Sequence, residues 1–380
     1  MKRTMGKTII TFALVLSLVL SLGGLAFAEE NPNKLVINKT LAMNEGAELL
    51  ADYTFDFTVT GIPTAGSDNA MPPAITIGSL EFTQAGMPAA VAGVVSGSQS
   101  TADILASVTW PHAGIFTYRI AEVDKSATYN DEDSEITFDA TVYEIDVYVA
   151  QGDSGLEVVA VIAFNVDPLT DERAEKIEDG IDTDAGSLTL PFANKYRELI
   201  GDDDDDDDDE ILNGNGWRVS KAVDGEFASE LRQFSFTITA KLGALSTLTT
   251  ETLVVFDAEG EVTQRILLAD NYNPATRTAT MNITLAHDEV AVFTRLDAGT
   301  EVTVVEGDYT ADNYYASVNG VDGLEFTTLI TKDAVNAAYL NEHRITDPTG
   351  VLVAALPFAA LIAVVAGAVV LSSRKRDEIA

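Results

Sequence analysis

Apolar and polar residues alternate with a period of two along much of this chain. Tyr53-Thr-Phe-Asp-Phe-Thr-Val59, Ile115-Phe-Thr-Tyr-Arg-Ile120 and Thr141-Val-Tyr-Glu-Ile-Asp-Val-Tyr-Val149 show it in the first half. Phe234-Ser-Phe-Thr-Ile-Thr239 and Val302-Thr-Val-Val305 show it in the second. Such alternation, rich in β-branched and aromatic residues, marks strands with one buried face. Gly61-Ile-Pro-Thr-Ala-Gly66 and Asp270-Asn-Tyr-Asn-Pro274 supply turns. Many short strands with frequent turns predict an all-β chain of sandwich domains. Residues Asp167 to Asp184 are acidic and are expected to hold a short helix or a long loop.

The alternation stops at Gly201–Glu210, which contains eight consecutive aspartates. A block of like charge repels itself and reads as a solvated linker, extended here by Asn213-Gly-Asn-Gly216. A calcium site is the alternative reading, but calcium loops space their ligands and interleave glycine rather than stacking one acid. The expected division is a domain over 29–200, a linker over 201–216 and a domain over 217–345. The halves repeat each other. Lys34-Leu-Val-Ile-Asn-Lys-Thr-Leu41 leads into Tyr53-Thr-Phe-Asp-Phe, and Trp217-Arg-Val-Ser-Lys-Ala-Val223 leads into Phe234-Ser-Phe-Thr-Ile.

Residues two apart on a strand share a face. Leu35, Ile37 and Lys39 therefore point one way, as do Phe116, Tyr118, Ile120 and Glu122, and Leu188, Leu190, Phe192 and Asn194. The second half repeats the order with Trp217, Val219 and Lys221; Val302, Val304 and Glu306; and Val335, Ala337, Tyr339 and Asn341. Each half thus sends a Lys, a Glu and an Asn inward at the end of an apolar row. A lone buried charge costs several kcal/mol, so each needs partners. The plainer alternative is a buried Lys–Glu ion pair beside an Asn. Recurrence in the same order favours chemistry: intramolecular isopeptide formation, with Lys39 and Lys221 as nucleophiles, Asn194 and Asn341 as acceptors, and Glu122 and Glu306 as proton shuttles. Folding supplies the proximity, so each site reacts once.

Charge and the chain ends refine this picture. With 23 basic and 60 acidic residues the net charge is -37, which argues against nucleic acid or anionic lipid as a partner. Lys2, Arg3 and Lys7, the apolar run Ile9 to Leu25 and Ala26-Phe27-Ala28 have the layout of a secretory signal peptide over 1–28. Pro348-Thr349-Gly350, an apolar stretch from Val351 to Leu371 and a basic Arg374-Lys375-Arg376 have the layout of a cell-wall sorting signal over 346–380. The apolar stretch is long enough to span a bilayer. An exported chain without cysteine must find its robustness in something other than disulfides. His112, His287 and His343 are the only histidines. No Ser/His/Asp or metal-spaced cluster accompanies them, so neither an enzyme nor a metal or cofactor site is expected. His112 and His287 lie in turn-like contexts and are expected to be exposed.

These motifs together resemble one family. Val36-Ile-Asn-Lys-Thr-Leu41, Phe116-Thr-Tyr-Arg-Ile-Ala-Glu122, Pro191-Phe-Ala-Asn194, Val219-Ser-Lys221, Val304-Val-Glu306, Tyr339-Leu-Asn341 and the Asp347-Pro-Thr-Gly-Val351 segment followed by Leu356-Pro-Phe358 are similar to the backbone pilins of Gram-positive sortase-assembled pili, of the two-domain streptococcal FctA-like type. The resemblance implies tandem Ig-like (CnaB-like) sandwiches, each carrying a Lys–Asn isopeptide bond with a Glu catalyst. It also implies cleavage after Thr349 by a sortase and attack on the resulting thioester by a lysine of the next subunit. The partners implied are the sortase, other copies of the subunit, minor pilins or an adhesin, and finally peptidoglycan. In the family the linking lysine lies just before the last strand of the first domain, where this chain has Ser187 and Leu188. Lys176 is the nearest upstream candidate and is expected on an exposed loop; Lys195, Lys125, Lys241 and Lys332 are alternatives. The sorting motif begins with Asp347 where Val or Leu is usual. The competing reading is a wall-anchored monomeric adhesin or stalk protein built from the same stapled domains.

Overall fold

An alternating strand buries one face only if a second apolar face covers it, so runs of this kind pair into layered sheets. The computed structural model describes residues 32–63, 71–177, 180–182, 185–202, 207–248 and 251–344. The chain divides into two units, one up to Glu198 and one from Leu199.

The first unit is built from β1 (Lys34–Asn44), β2 (Tyr53–Phe55), β3 (Phe57–Ile62), β4 (Leu80–Phe82), β5 (Val94–Ser100), β6 (Gly114–Glu122), β7 (Ser134–Thr137), β8 (Val142–Gly152), β9 (Gly155–Val166), β10 (Arg173–Lys176), β11 (Ile181–Asp182) and β12 (Ser187–Ile200). One sheet has the order β11-β12-β1-β5, with β7 pairing the later part of β12; the other has the order β10-β9-β8-β6-β3. The first and last strands are parallel neighbours, with Lys34 opposite Ser187 and Leu41 opposite Asn194. The two sheets close on one core, in which Leu35, Ile37, Leu190 and Phe192 meet Tyr118, Ile120, Ile145 and Val147.

The second unit repeats the plan through β13 (Arg218–Asp224), β14 (Phe234–Lys241), β15 (Thr252–Phe256), β16 (Val262–Leu267), β17 (Tyr272–Asn273), β18 (Thr278–Leu285), β19 (Val290–Phe293), β20 (Leu296–Asp297), β21 (Glu301–Glu306), β22 (Tyr314–Val318), β23 (Val321–Asp322), β24 (Glu325–Leu329) and β25 (Ala337–His343). Its sheets run β16-β15-β19-β13-β25-β22-β23 and β17-β18-β14-β21-β24. The first long strand, β13, is again parallel to the last, β25. The facing layers touch where Phe236 of one sheet meets Tyr339 of the other, ring centroids 5.1 Å apart.

Several expectations differ from the structure in detail. The run Tyr53–Val59 is two strands, because the chain changes partner at Asp56: β2 pairs β4, whereas β3 pairs β6. Asp56 is held there by Lys125 Nζ at 2.7 Å and by Ser79. The segment 167–184 holds no helix among its described residues. It carries β10 and β11, paired to β9 and β12. Arg173 ties β10 down by a fork onto Asp146, 2.6 and 2.7 Å, and a contact with Glu144.

The acidic segment also differs at its C-terminal end. Asp208–Asn213 is a short helix, with Asp207 accepting the N–H of Asp209 at its start. Carboxylates are favoured at that end of a helix. Ile211 is buried in a cluster with Val254, Phe256 and Val292, so this part packs with the second unit rather than standing free as a linker. Val335, expected on the buried face of the last strand, lies before β25 and is 61% exposed; its carbonyl accepts Trp217 Nε1–H at 2.9 Å. His287 is half-buried rather than exposed, because its Nδ1 accepts the N–H of Val223. Among the described residues no helix is long and apolar enough to cross a membrane. The expected signal peptide and the sorting segment, including Pro348, Thr349 and Gly350, lie outside the described residues.

Candidate functional site

Strand register brings the inward polar residues together. In the first unit Lys39 stands opposite Phe192 on the parallel β1–β12 pair, which puts Asn194 two residues further along the same face. Glu122, the last residue of β6, stands opposite Phe57 on β3 in the other sheet. In the second unit Lys221 stands opposite Tyr339, with Asn341 two residues on, and Glu306, the last residue of β21, stands opposite Phe236. The two sites are therefore built at the same register: a lysine beside an aromatic of the last strand, the asparagine two residues later, and a glutamate across the core.

Side-chain geometry follows. Lys39 is fully buried, and its Nζ lies 2.7 Å from Glu122 Oε1 and 2.8 Å from Oε2. Asn194, 1% exposed, donates Nδ2–H to Glu122 Oε1 at 2.9 Å. Its carbonyl Oδ1 accepts the backbone N–H of Asp139 at 2.8 Å, and the same N–H reaches Glu122 Oε2 at 3.2 Å. The Phe55 ring lies 4.8 Å from Lys39 Nζ.

In the second site Asn341 donates Nδ2–H to Glu306 Oε1 at 2.7 Å. Lys221 Nζ lies 3.2 Å from the same oxygen, close enough to attract it but not aligned as a hydrogen bond. The Phe234 ring lies 4.4 Å from Lys221 Nζ. Glu306 Oε2 and Asn341 Oδ1 are buried without a hydrogen-bond partner among the described residues.

Burial sets the electrostatics, because an apolar core disfavours both charged forms. It pulls Lys39 below the usual ammonium range and pushes the Glu122 carboxyl up, against their mutual attraction. In the second site it pushes Lys221 down to about 8 and raises Glu306 likewise. Each pair is thereby moved toward a neutral amine beside a carboxylic acid. A neutral amine is a nucleophile, and a carboxylic acid hydrogen-bonded to a carboxamide can carry the proton to the leaving nitrogen.

The six residues Lys39, Glu122, Asn194, Lys221, Glu306 and Asn341 thus gather as two triads. Lys176 is exposed, but on the edge strand β10 rather than on a loop; the clamp on Arg173 is what makes this segment a strand. Lys195 is also exposed, on β12. Lys125 is committed to Asp56 and Thr54, and Lys241 lies near Glu301. Sequence reasoning missed the rings over the lysines and the Asp139 N–H. The rings had a signal, since Phe55 and Phe234 hold matching positions in the repeated Phe-x-Phe that follows each lysine strand. Asp139 had none, because it acts through its backbone from an irregular segment between β7 and β8.

Comparison with known proteins agrees over the first unit. Residues 35–197 match the family described as Spy0128-like isopeptide containing domain, FctA. Residues 216–343 match a domain of unknown function, DUF7601. No curated protein matches the chain. Among solved structures the chain is similar to the major pilin from Streptococcus pyogenes, with 15% identity over 82% of this chain and 99% of that one and a TM-score of 0.35. It is also similar to the major pilin protein T3.2 from Streptococcus pyogenes serotype GAS13637, with 17% identity over 83% and 99% and a TM-score of 0.34. Segment 35–197, which carries the first Lys–Glu–Asn triad, is thus similar to the FctA family of Spy0128-like isopeptide-containing domains.

Proposed function

We propose that the chain is a structural subunit of a covalently polymerised pilus anchored to the cell wall of a Gram-positive bacterium. Each of its two Ig-like (CnaB-like) domains is stapled by a self-formed isopeptide bond, Lys39 to Asn194 and Lys221 to Asn341. The observation that carries this reading is the recurrence of one Lys–Glu–Asn triad at one register in two apolar cores. A structural ion pair needs no asparagine and no repetition. In each site the neutral amine attacks the carboxamide carbon, the glutamic acid passes a proton to the amide nitrogen, the C–N bond breaks and ammonia leaves. Each site reacts once, so the chain is a product of its own chemistry rather than an enzyme, and no cofactor enters.

The staple joins the first strand of each sandwich to the last, its parallel neighbour. Tension applied along the chain then passes through a covalent bond instead of the strand ladder, which suits a load-bearing fibre without disulfides. The sorting motif Pro348-Thr349-Gly350 supplies the acyl group at Thr349 and peptidoglycan its last acceptor. Lys176, exposed on an edge strand, is the proposed nucleophile between subunits.

Intact mass tests the bonds: the secreted chain should weigh about 34 Da less than its sequence, two ammonia losses, and an unshifted mass rejects them. Co-expression with the cognate sortase tests the polymer. An SDS-resistant ladder that collapses on Lys176→Ala supports the pilin. A single wall-linked band identifies the monomeric adhesin or stalk instead.

A further inference from the structure

The two triads differ in one group. In the first, the carbonyl oxygen of Asn194 accepts the Asp139 N–H at 2.8 Å. In the second, no group among the described residues donates to Asn341 Oδ1. That oxygen is where negative charge develops when the lysine adds to the carboxamide. We propose that the Asp139 N–H is an oxyanion donor for the first bond, and that the Asp139 carboxylate positions it, so that the first unit closes its staple before the second. This rests on the isopeptide reading above and adds to it an electrophilic group and an order of events.

The geometry fits the step atom by atom. Lys39 Nζ, as the free amine, forms a bond to Asn194 Cγ, and the carbonyl electron pair moves onto Oδ1. Asp139 N–H meets that charge. Glu122 lies within 2.8 Å of Nζ and 2.9 Å of Nδ2, so it takes the proton from the first and gives it to the second. The Cγ–Nδ2 bond then breaks, ammonia departs, and the carbonyl re-forms as an amide. A preorganised donor aimed at a developing oxyanion acts in a low-dielectric site without reorganisation, and removing one costs about 100- to 1000-fold in rate.

The N–H is held in place from two sides. The Asp139 carboxylate accepts the N–H of Ala193, the residue before Asn194, at 2.7 Å through Oδ2, and the N–H of Thr141 at 2.9 Å through Oδ1. These bonds tie the irregular segment between β7 and β8 to the last strand, at the residue next to the reacting carboxamide. The same N–H leans on Glu122 Oε2 at 3.2 Å, which leaves Oε1 facing Nδ2. Among the described residues of the second unit no backbone group does this, and Glu306 Oε2 has no hydrogen-bond partner there.

The test uses the full chain made by cell-free synthesis, sampled over time, with each cross-linked peptide followed separately by mass spectrometry after digestion. The second bond of the same molecule is the internal clock. In the wild type the first bond should appear at least about tenfold sooner than the second. Asp139→Ala frees the donor's anchor and should slow the first bond roughly 10- to 100-fold while leaving the second unchanged. Asp139→Asn, which keeps one acceptor oxygen, should recover part of the rate. A role confined to stability would move neither rate in a chain whose circular dichroism is unaltered. First-bond formation at the wild-type rate in Asp139→Ala, or a second bond that keeps pace with the first in the wild type, overturns the proposal. Loss of ammonia from neither unit of the wild type overturns instead the isopeptide reading on which it stands.

Discussion

Replacing Asn341 by Ala removes the proposed acceptor of the second staple and leaves the fold of β25 free to form, since alanine can hold the same strand position. Lys221 and Asn341 are 120 positions apart. Treated as a cross-link that closes a loop of this length, the proposed bond between them would remove about 16 cal/mol/K of chain entropy from the unfolded state, or about 5 kcal/mol at 25 °C. The variant also leaves Lys221 as a free amine, 2% exposed, beside Glu306 and the Phe234 ring, so about 5 kcal/mol is a lower figure for the loss. The family match of the second unit spans residues 216–343. A domain of that size unfolds with an entropy of roughly 0.27 kcal/mol/K, so the loss should lower its Tm by about 18 °C. Scanning calorimetry of wild type and variant, with intact mass on the same samples, measures both quantities. The mass deficit should fall from two ammonia molecules to one. A variant that keeps the full deficit refutes Asn341 as the acceptor. One that loses a single ammonia yet melts within about 5 °C of the wild type refutes the chain-entropy account of the staple.

Glu306→Gln keeps the shape of the shuttle but cannot take the proton, so the second bond should be absent by peptide mass while the first still forms; a bond found in that variant rejects the role given to Glu306. Formation of the second bond should be bell-shaped in pH. The reactive pair shares one proton, whether written as ammonium with carboxylate or as amine with acid, and that proton is lost above the Lys221 value of about 8. The rate should therefore fall about tenfold per pH unit beyond that point and fall again below the raised value of Glu306. A rate that keeps climbing through pH 10 would show that free amine alone limits the step. Phe234→Ala opens the core over Lys221, which lies 4.4 Å from that ring. It should cost about 3–5 kcal/mol of stability, and by letting water reach the ammonium it should also slow the second bond, read as delayed loss of ammonia at unchanged pH.

The triads were legible in the sequence because period two is rigid. Once Leu35 and Ile37 are assigned to the core, Lys39 has to follow them inward, and the same holds for Glu122 behind Ile120 and Asn194 behind Phe192. Where the reasoning failed, the deciding contact was remote. The break at Asp56 depends on Lys125, far along the chain. The edge strand under Lys176 depends on Arg173 reaching Asp146 and Glu144 in β8. Val335 lies outside the core because β25 starts two residues later, at Ala337; its apolar character alone could not reveal where pairing begins.

By itself the sequence determined which side chains within a strand share a face and which charges travel with the apolar ones, because strand alternation is a local property of the backbone. It also determined that the motif occurs twice. The tertiary structure decided that the three members of each set meet, since parallel pairing of the first strand with the last is a choice of partner made by the whole sandwich. It decided as well that the sites are unequal. The Asp139 N–H reaches Asn194 through a fold of irregular backbone, and the hydrogen bonds of irregular backbone follow from where the chain is carried in space, not from the identity of the residue that donates them.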